Sequence, residues 1–287
     1  MPAPFSDRPP TAHELLAFYL EAGVDCALDD EPQDRLSEAQ QPVAPVAPAP
    51  RTTPAEPALR TLPPKGSAAP PPMPAPRADA APPPDIAAQS ARDAAATAKT
   101  LDELRGLLDA FDGCALKATA SRLVFADGNP EAKIMLVGEA PGRDEDIQGL
   151  PFVGRSGQLL DRMLAAIGLD RTKVYIANVI PWRPPGNRTP TPQETQICLP
   201  FIRRQIELVD PDVLVCLGNP SSQTLLNTRE GIMKTRGKWI QYDTGKRSIR
   251  AMPTFHPAYL LRSPIYKRLA WQDLRAIRTA LHANASS

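Results

Sequence analysis

Apolar residues in the second two-thirds of the chain gather into short runs, Ile134 to Val137, Val174 to Ile180, Val213 to Leu217 and Ile249 to Phe255. Each has the length and β-branched content of a buried strand, and Gly, Pro or polar residues bound it. The intervening segments change to a helical period. One helix is predicted from about Gly157 to Ile167, closed by Gly168, and another from Thr191 to about Val209. The second opens on Thr191-Pro192-Gln193-Glu194, an N-cap threonine, a proline at the first helical position and a capping glutamate. A short helix follows Gly218-Asn219-Pro220-Ser221, and a last one runs from Pro264 to Leu281. Upstream, Thr100 and Glu103 form a further capping box for a helix reaching Phe111. Strands alternating with helices predict an α/β domain with a central, mostly parallel four-stranded sheet flanked by helices on both faces.

The first third of the chain reads differently. Thr11 to Ala27 has a capping-box spacing and one apolar face (Leu15, Leu16, Tyr19, Leu20), so residues 1–30 are expected to carry a short amphipathic helix. A lone helix of that length is marginal in water, which favours a tethered motif for a protein partner. Nearly half of the 35 prolines lie between residues 40 and 95, with alanine filling most gaps. Such a segment buries too little apolar surface to offset its ordering entropy, so residues 31–98 are expected to be a disordered linker and 99–287 the folded domain.

The net charge of +1 conceals a split: the part from Thr100 onward carries an excess of six positive charges, the part before it an excess of five negative ones. A basic domain behind an acidic tail suits a polyanionic partner. The start of the chain lacks the pattern of a secretory signal, and no apolar run is long enough to span a bilayer, so a cytosolic monomer with no membrane association is expected. Cys26, Cys114, Cys198 and Cys216 show no paired short spacing, which argues against a disulfide framework.

In a parallel sheet the functional loops lie where strands end. The first such loop supplies Glu139, Ala140, an acidic cluster (Asp144, Glu145, Asp146) and Phe152; the second supplies Asn178 and Pro181 to Arg188; the third supplies Gly218-Asn219, and the fourth His256 to Arg262. No Ser or Cys nucleophile is paired with a base, and neither a P-loop nor a G-x-G-x-x-G fingerprint is present. Asp144 and Asp146 are expected to solvate their loop.

The segments GEAPGRDED, GLPFVGRSGQLL, VYIANVIPWRPPGNRTPTPQE and HPAYLLR, in that order, resemble the motifs of the family 4 uracil-DNA glycosylases. The likeness spans roughly Phe111 to Leu281 and leaves the first third unmatched. It implies a monofunctional DNA glycosylase that extrudes uracil and hydrolyses its glycosidic bond. Phe152 would stack on the base, beside Ala140, and the Asn178 amide would read uracil N3–H and O4. His256 would bond O2 and favour the charge building on the leaving base. Glu139 and Glu145 are the carboxylates placed to orient or activate water or to stabilise the sugar's developing positive charge, and Asn187 would assist that water or shape its loop. Arg155, Arg188, Tyr259, Leu260, Leu261 and Arg262 would meet the DNA, with Tyr259 to Arg262 as the wedge. Family members carry four cysteines that hold a 4Fe–4S cluster; the matching positions here are Phe111, Cys114, Trp182 and Cys198. Two thiolates do not suffice for a cubane, so a cofactor-free variant packed by aromatic rings is expected. A catalytically weak damage-sensing module with the same pocket is the alternative.

Overall fold

Ile134 to Gly138 is buried at every position and forms the centre of the sheet, because a strand covered on both faces needs apolar side chains in both directions. The computed structural model describes residues 84–285; the expected helix at the start of the chain and the linker as far as residue 83 lie outside the described residues. In chain order the elements are α1 (Pro84–Thr97), α2 (Leu101–Ala110), β1 (Asp127–Gly128), β2 (Ile134–Gly138), α3 (Arg143–Gln148), α4 (Arg155–Ala165), β3 (Tyr175–Asn178), α5 (Pro192–Val209), β4 (Val213–Leu217), α6 (Asn219–Leu226), α7 (Ile232–Thr235), β5 (Ile240–Asp243), β6 (Ser248–Thr254), α8 (Pro257–Arg262) and α9 (Lys267–Ala285).

The sheet has six strands in the order β1-β3-β2-β4-β6-β5. The four expected strands form its parallel centre, β3-β2-β4-β6. The expectation of four strands is corrected at both edges, where β1 and β5 pair antiparallel to their neighbours. β1 is two residues long and β5 is half polar, so neither makes an apolar run. Alternation along each central strand sorts side chains between two helical layers. Met135, Val137, Ala177, Leu214 and Cys216 pack with α1, α2 and α5. Ile134, Leu136, Ile176, Val215 and Met252 pack with α4 and α9. Among the described residues, no helix is long and apolar enough to cross a membrane.

The linker assigned to residues 31–98 ends too late, since Pro84–Thr97 is helical. Composition misleads here because alanine, the best helix former, was grouped with proline. No proline follows Pro84 until Pro130, and Ala87, Ala88, Ala91 and Ala95 line one buried face. Their small side chains bring α1 close to α5, and Arg204 Nε of α5 donates to the Ala98 carbonyl at 2.9 Å. The acidic cluster is also helical: Asp144, Glu145 and Asp146 occupy the first turn of α3, where the helix dipole favours negative charge.

This close approach can be tested at Ala91, which is fully buried in α1. Ala91→Leu should lower stability by about 1–3 kcal/mol through overpacking, while Ala96→Leu on the exposed face should be near neutral. Urea midpoints of the two variants would check this.

Candidate active site

All four parallel strands end at one cleft of about 630 Å³, lined by residues that include Glu139, Ala140, Phe152, Asn178, Asn219 and His256. Glu139 follows β2, Asn178 closes β3, Gly218 follows β4 and His256 lies two residues past β6. Pairing sets the first two side by side, because Gly138 is opposite Asn178 in the parallel register. A Cβ at Gly138 would collide with Asn178 Oδ1 and approach Phe152 Cζ to 2.6 Å. Glycine therefore provides the space in which that amide and ring converge.

Phe152 has φ 55°, a conformation that a bulky residue avoids. Holding it costs on the order of 1–3 kcal/mol unless the surroundings impose it. Its ring stacks on His256 at 5.4 Å with 29° between planes. His256 caps α8, and its Nδ1 accepts from the Ala258 N–H at 3.1 Å. That bond puts the proton of the neutral ring on Nε2. Burial, assisted by the charge of Arg262, pushes the His256 pKa down from 6.5 to about 4, so the ring is neutral at ordinary pH.

The two candidate carboxylates differ in their surroundings. Glu139 is half-buried at the cleft wall, and burial raises its pKa above the usual carboxylate value. Glu145 also borders the cleft, but three backbone amides occupy its oxygens. Gly142 donates to Oε2 at 3.1 Å, while Val153 and Gly154 donate to Oε1 at 3.0 and 2.9 Å. Most of the acceptor capacity of Glu145 is therefore taken up by the backbone of its own loop. Asp146 does not solvate a loop: it is buried and accepts from Ser121 N at 2.7 Å. Asp144 is exposed.

The expected DNA-contacting residues separate. Arg262, Tyr259 and Arg188 line the cleft, whereas Arg155 is exposed at the start of α4 outside it. Arg188 meets Glu194 through two bonds of 2.6 and 2.9 Å, which join the loop to the capping box of α5. Asn187 lines the cleft, and its Oδ1 accepts from Arg183 Nε at 2.7 Å. Leu260 is 1% exposed, in the core against α9, and Leu261 packs beside it. The wedge expected at Leu260 is therefore corrected: the helical spacing of Pro257 and Leu260 turns both inward. Tyr259 stacks on Phe255 and Tyr266, each at 5.5 Å. Among the described residues, the most exposed large apolar side chain is Ile265, 82% accessible on the turn beyond Arg262.

Residues 125–275 match the uracil DNA glycosylase superfamily, and the chain belongs to it. Within that superfamily it is of the family 4 type. It is 39% identical to the type-4 uracil-DNA glycosylase of Archaeoglobus fulgidus over 183 residues, 62% of this chain and 92% of the relative. To the type-4 enzyme of Thermotoga maritima it is 42% identical over 169 residues, 58% of this chain and 86% of the relative. A type-5 uracil-DNA glycosylase of Thermus thermophilus is 32% identical over 121 residues, 37% of this chain and 55% of the relative.

The positions matching the family's cluster ligands do not fit a 4Fe–4S group. Phe111, Cys114, Trp182 and Cys198 are all buried in the same core, with Trp182 only 2% exposed. Phe111 meets Phe201 edge-on at 5.2 Å. The Cys198 thiol donates to Cys114 Sγ at 3.9 Å, and that bond together with burial holds Cys198 protonated. Two thiols and two hydrocarbon rings are not the four-thiolate donor set of a cubane. Among the described residues, no group of three or more His, Cys, Asp or Glu side chains could hold a metal ion.

The sequence reading missed Arg171, whose side chain meets the backbone of Phe152. Its partners lie 10 to 44 residues away, and no local pattern connects them.

The depressed His256 pKa gives a pH prediction. As pH falls, the unfolded chain takes up the proton first, at 6.5, and the folded chain only near 4. The stability from this residue is therefore fully present above 6.5 and is lost as pH falls toward 4. His256→Gln should remove that part of the pH dependence, read from urea midpoints between about pH 7 and about pH 4.5.

Proposed function

We propose that this uracil-DNA glycosylase is monofunctional, hydrolysing the bond between uracil and deoxyribose and leaving an abasic site in an intact strand. The observation that carries the reading is the convergence on one cleft of a desolvated carboxylate, a buried amide and a neutral imidazole beside an aromatic ring. The base leaves the DNA stack to enter, and the Phe152 ring offers it a π-face. Asn178 accepts from uracil N3–H and donates to O4. Cytosine presents the opposite pattern there, and the mismatched amide would be left unpaired in a buried site.

The neutral His256 donates from Nε2 to O2, where negative charge builds as the glycosidic bond lengthens. A neutral donor lowers the energy of that charge without presenting a cation to the sugar, which becomes positive. Glu139 takes the place of general base. Its raised proton affinity suits it to orient a water at the sugar carbon and accept a proton from it. Among the described residues, none that lines the cleft is a lysine, so none of them places an amine to form a Schiff base and cut the strand.

Purified protein should release free uracil from a uracil-containing oligonucleotide without added metal, and borohydride should trap no adduct. Glu139→Gln should lower kcat by about 100-fold. Asn178→Asp should lower kcat/KM for uracil by at least about tenfold, because a carboxylate cannot donate to O4. Uracil excision unchanged in both variants would refute the assignment.

The reading includes no iron–sulfur cluster, with the packing of Phe111 and Trp182 taking over its structural work. Protein purified without oxygen should then be colourless and free of stoichiometric iron, and chelators should not unfold it. Trp182→Ala should lower stability by about 3–5 kcal/mol. Iron and sulfide at cluster stoichiometry would overturn this part of the reading.

A further inference from the structure

We propose that Arg171 is a positioning residue which, with Glu145, clamps Phe152 in its strained backbone conformation and so sets the ring that faces the base. The inference rests on the reading of Phe152 as the stacking platform. Two independent sets of bonds converge on this one residue. Arg171 Nη1 donates to the Pro151 carbonyl, on its N-terminal side, at 3.2 Å, and Nη2 donates to the carbonyl of Phe152 itself. On its C-terminal side, the next two amides, Val153 and Gly154, are both held by Glu145 Oε1. Phe152, whose preceding and following peptide units are both held in this way, has φ 55°. A left-handed conformation in a bulky side chain persists only where its surroundings impose it.

The guanidinium is itself fixed. Asp127 Oδ2 on the edge strand β1 accepts from Nη1 at 2.5 Å, and Asp161 Oδ1 on α4 accepts from Nε at 2.8 Å. The two carboxylates leave Nη2 and the remaining reach of Nη1 for the loop carbonyls, a division that only a planar five-donor fork can make. Gly157 completes the arrangement: a Cβ there would run into the Phe152 carbonyl. A salt bridge serving only to tie β1 to α4 would need neither the bonds to consecutive loop carbonyls nor the missing Cβ at Gly157. These features share one destination, the backbone of the residue whose ring stacks on His256 in the cleft.

The test is a double-mutant cycle on uracil excision, with thermal stability measured in parallel. Phe152→Ala, Arg171→Met and the double variant are compared with the parent chain. Arg171→Met should lower kcat/KM by about tenfold or more, and in the Phe152→Ala background the same change should have less than about a twofold further effect. The loss of stability should be similar in both backgrounds, which separates the positioning role from a structural one. Arg171→Lys should not rescue activity, since one ammonium cannot span the same acceptors. Gly157→Ala supplies a variant that leaves the ion pairs untouched and should show the same loss, again absorbed by Phe152→Ala. If Arg171→Met does not fold, the Gly157→Ala cycle decides the question. Losses that multiply independently in the cycle, or full activity in Arg171→Met, would overturn the clamp. Full activity in Phe152→Ala would instead remove the platform reading on which it rests.

Discussion

The parallel pairing of β2 with β3, from Met135 opposite Tyr175 to Gly138 opposite Asn178, determines how the site can be assembled. A strand in the middle of such a sheet has its backbone groups bonded on both edges and its side chains buried on both faces. Polar chemistry is therefore excluded from the strands and confined to their ends. The register then decides which end residues become neighbours. Gly138 has to lack a side chain so that Asn178 and Phe152 can enter the same space, and Glu139, one residue further on, is the first position free to turn toward the cleft. The pairing continues beyond the strands, since Val179 N donates to Gly138 O at 3.0 Å and Ile180 N to Glu139 O at 2.9 Å. The backbone of Glu139 is thus tied to the chain that carries Asn178.

Glu139 and Glu145 show how environment separates two side chains of the same chemistry. Both border the cleft. Glu145 satisfies its oxygens with three amides that face it because α3 begins and the loop turns back at that point. A carboxylate so solvated by backbone has little left to offer a water. Glu139 accepts no hydrogen bond from a described side chain, and burial alone sets its proton affinity. One glutamate is bonded to the loop backbone and the other is left to the cleft, a division that neither residue type nor position in the motif reveals.

The parallel centre of the fold was legible because its strands are buried on both faces and must therefore be apolar throughout. The edge strands were not: Asp127-Gly128 and Ile240 to Asp243 owe their pairing to neighbours and not to their own composition. Helix α1 was hidden by its alanines, which as composition resemble the preceding linker but in the fold form a stripe against α5. At the site, Phe152, Asn178, Glu139 and His256 were legible from ordered motifs at strand ends. Leu260 was misjudged because a hydrophobic residue in a motif can serve DNA or the core, and only the start of α8 decides which face it takes. Arg171 was invisible, since its role exists only after β1, α4 and the Phe152 loop have come together.

The aromatic core beside the cleft raises a different question, namely what could stand in for a cross-link. A cluster bonded to four side chains fixes their positions directionally, whereas buried rings contribute mainly through the area they remove from water, which has no preferred direction. Replacing one by the other requires the chain to supply direction elsewhere. It does so where Trp182 follows Asn178 by four residues. Along that connection, Val179 and Ile180 are tied to β2, and the Pro181 carbonyl accepts from Val124 N at 2.9 Å. The Trp182 side chain then has only to fill volume, because the backbone leading to it is already held. The Asn178 amide is thus positioned by backbone pairing on the β2 side of its strand. The parallel ladder aligns it, and four residues further on the buried Trp182 ends the connection in the core.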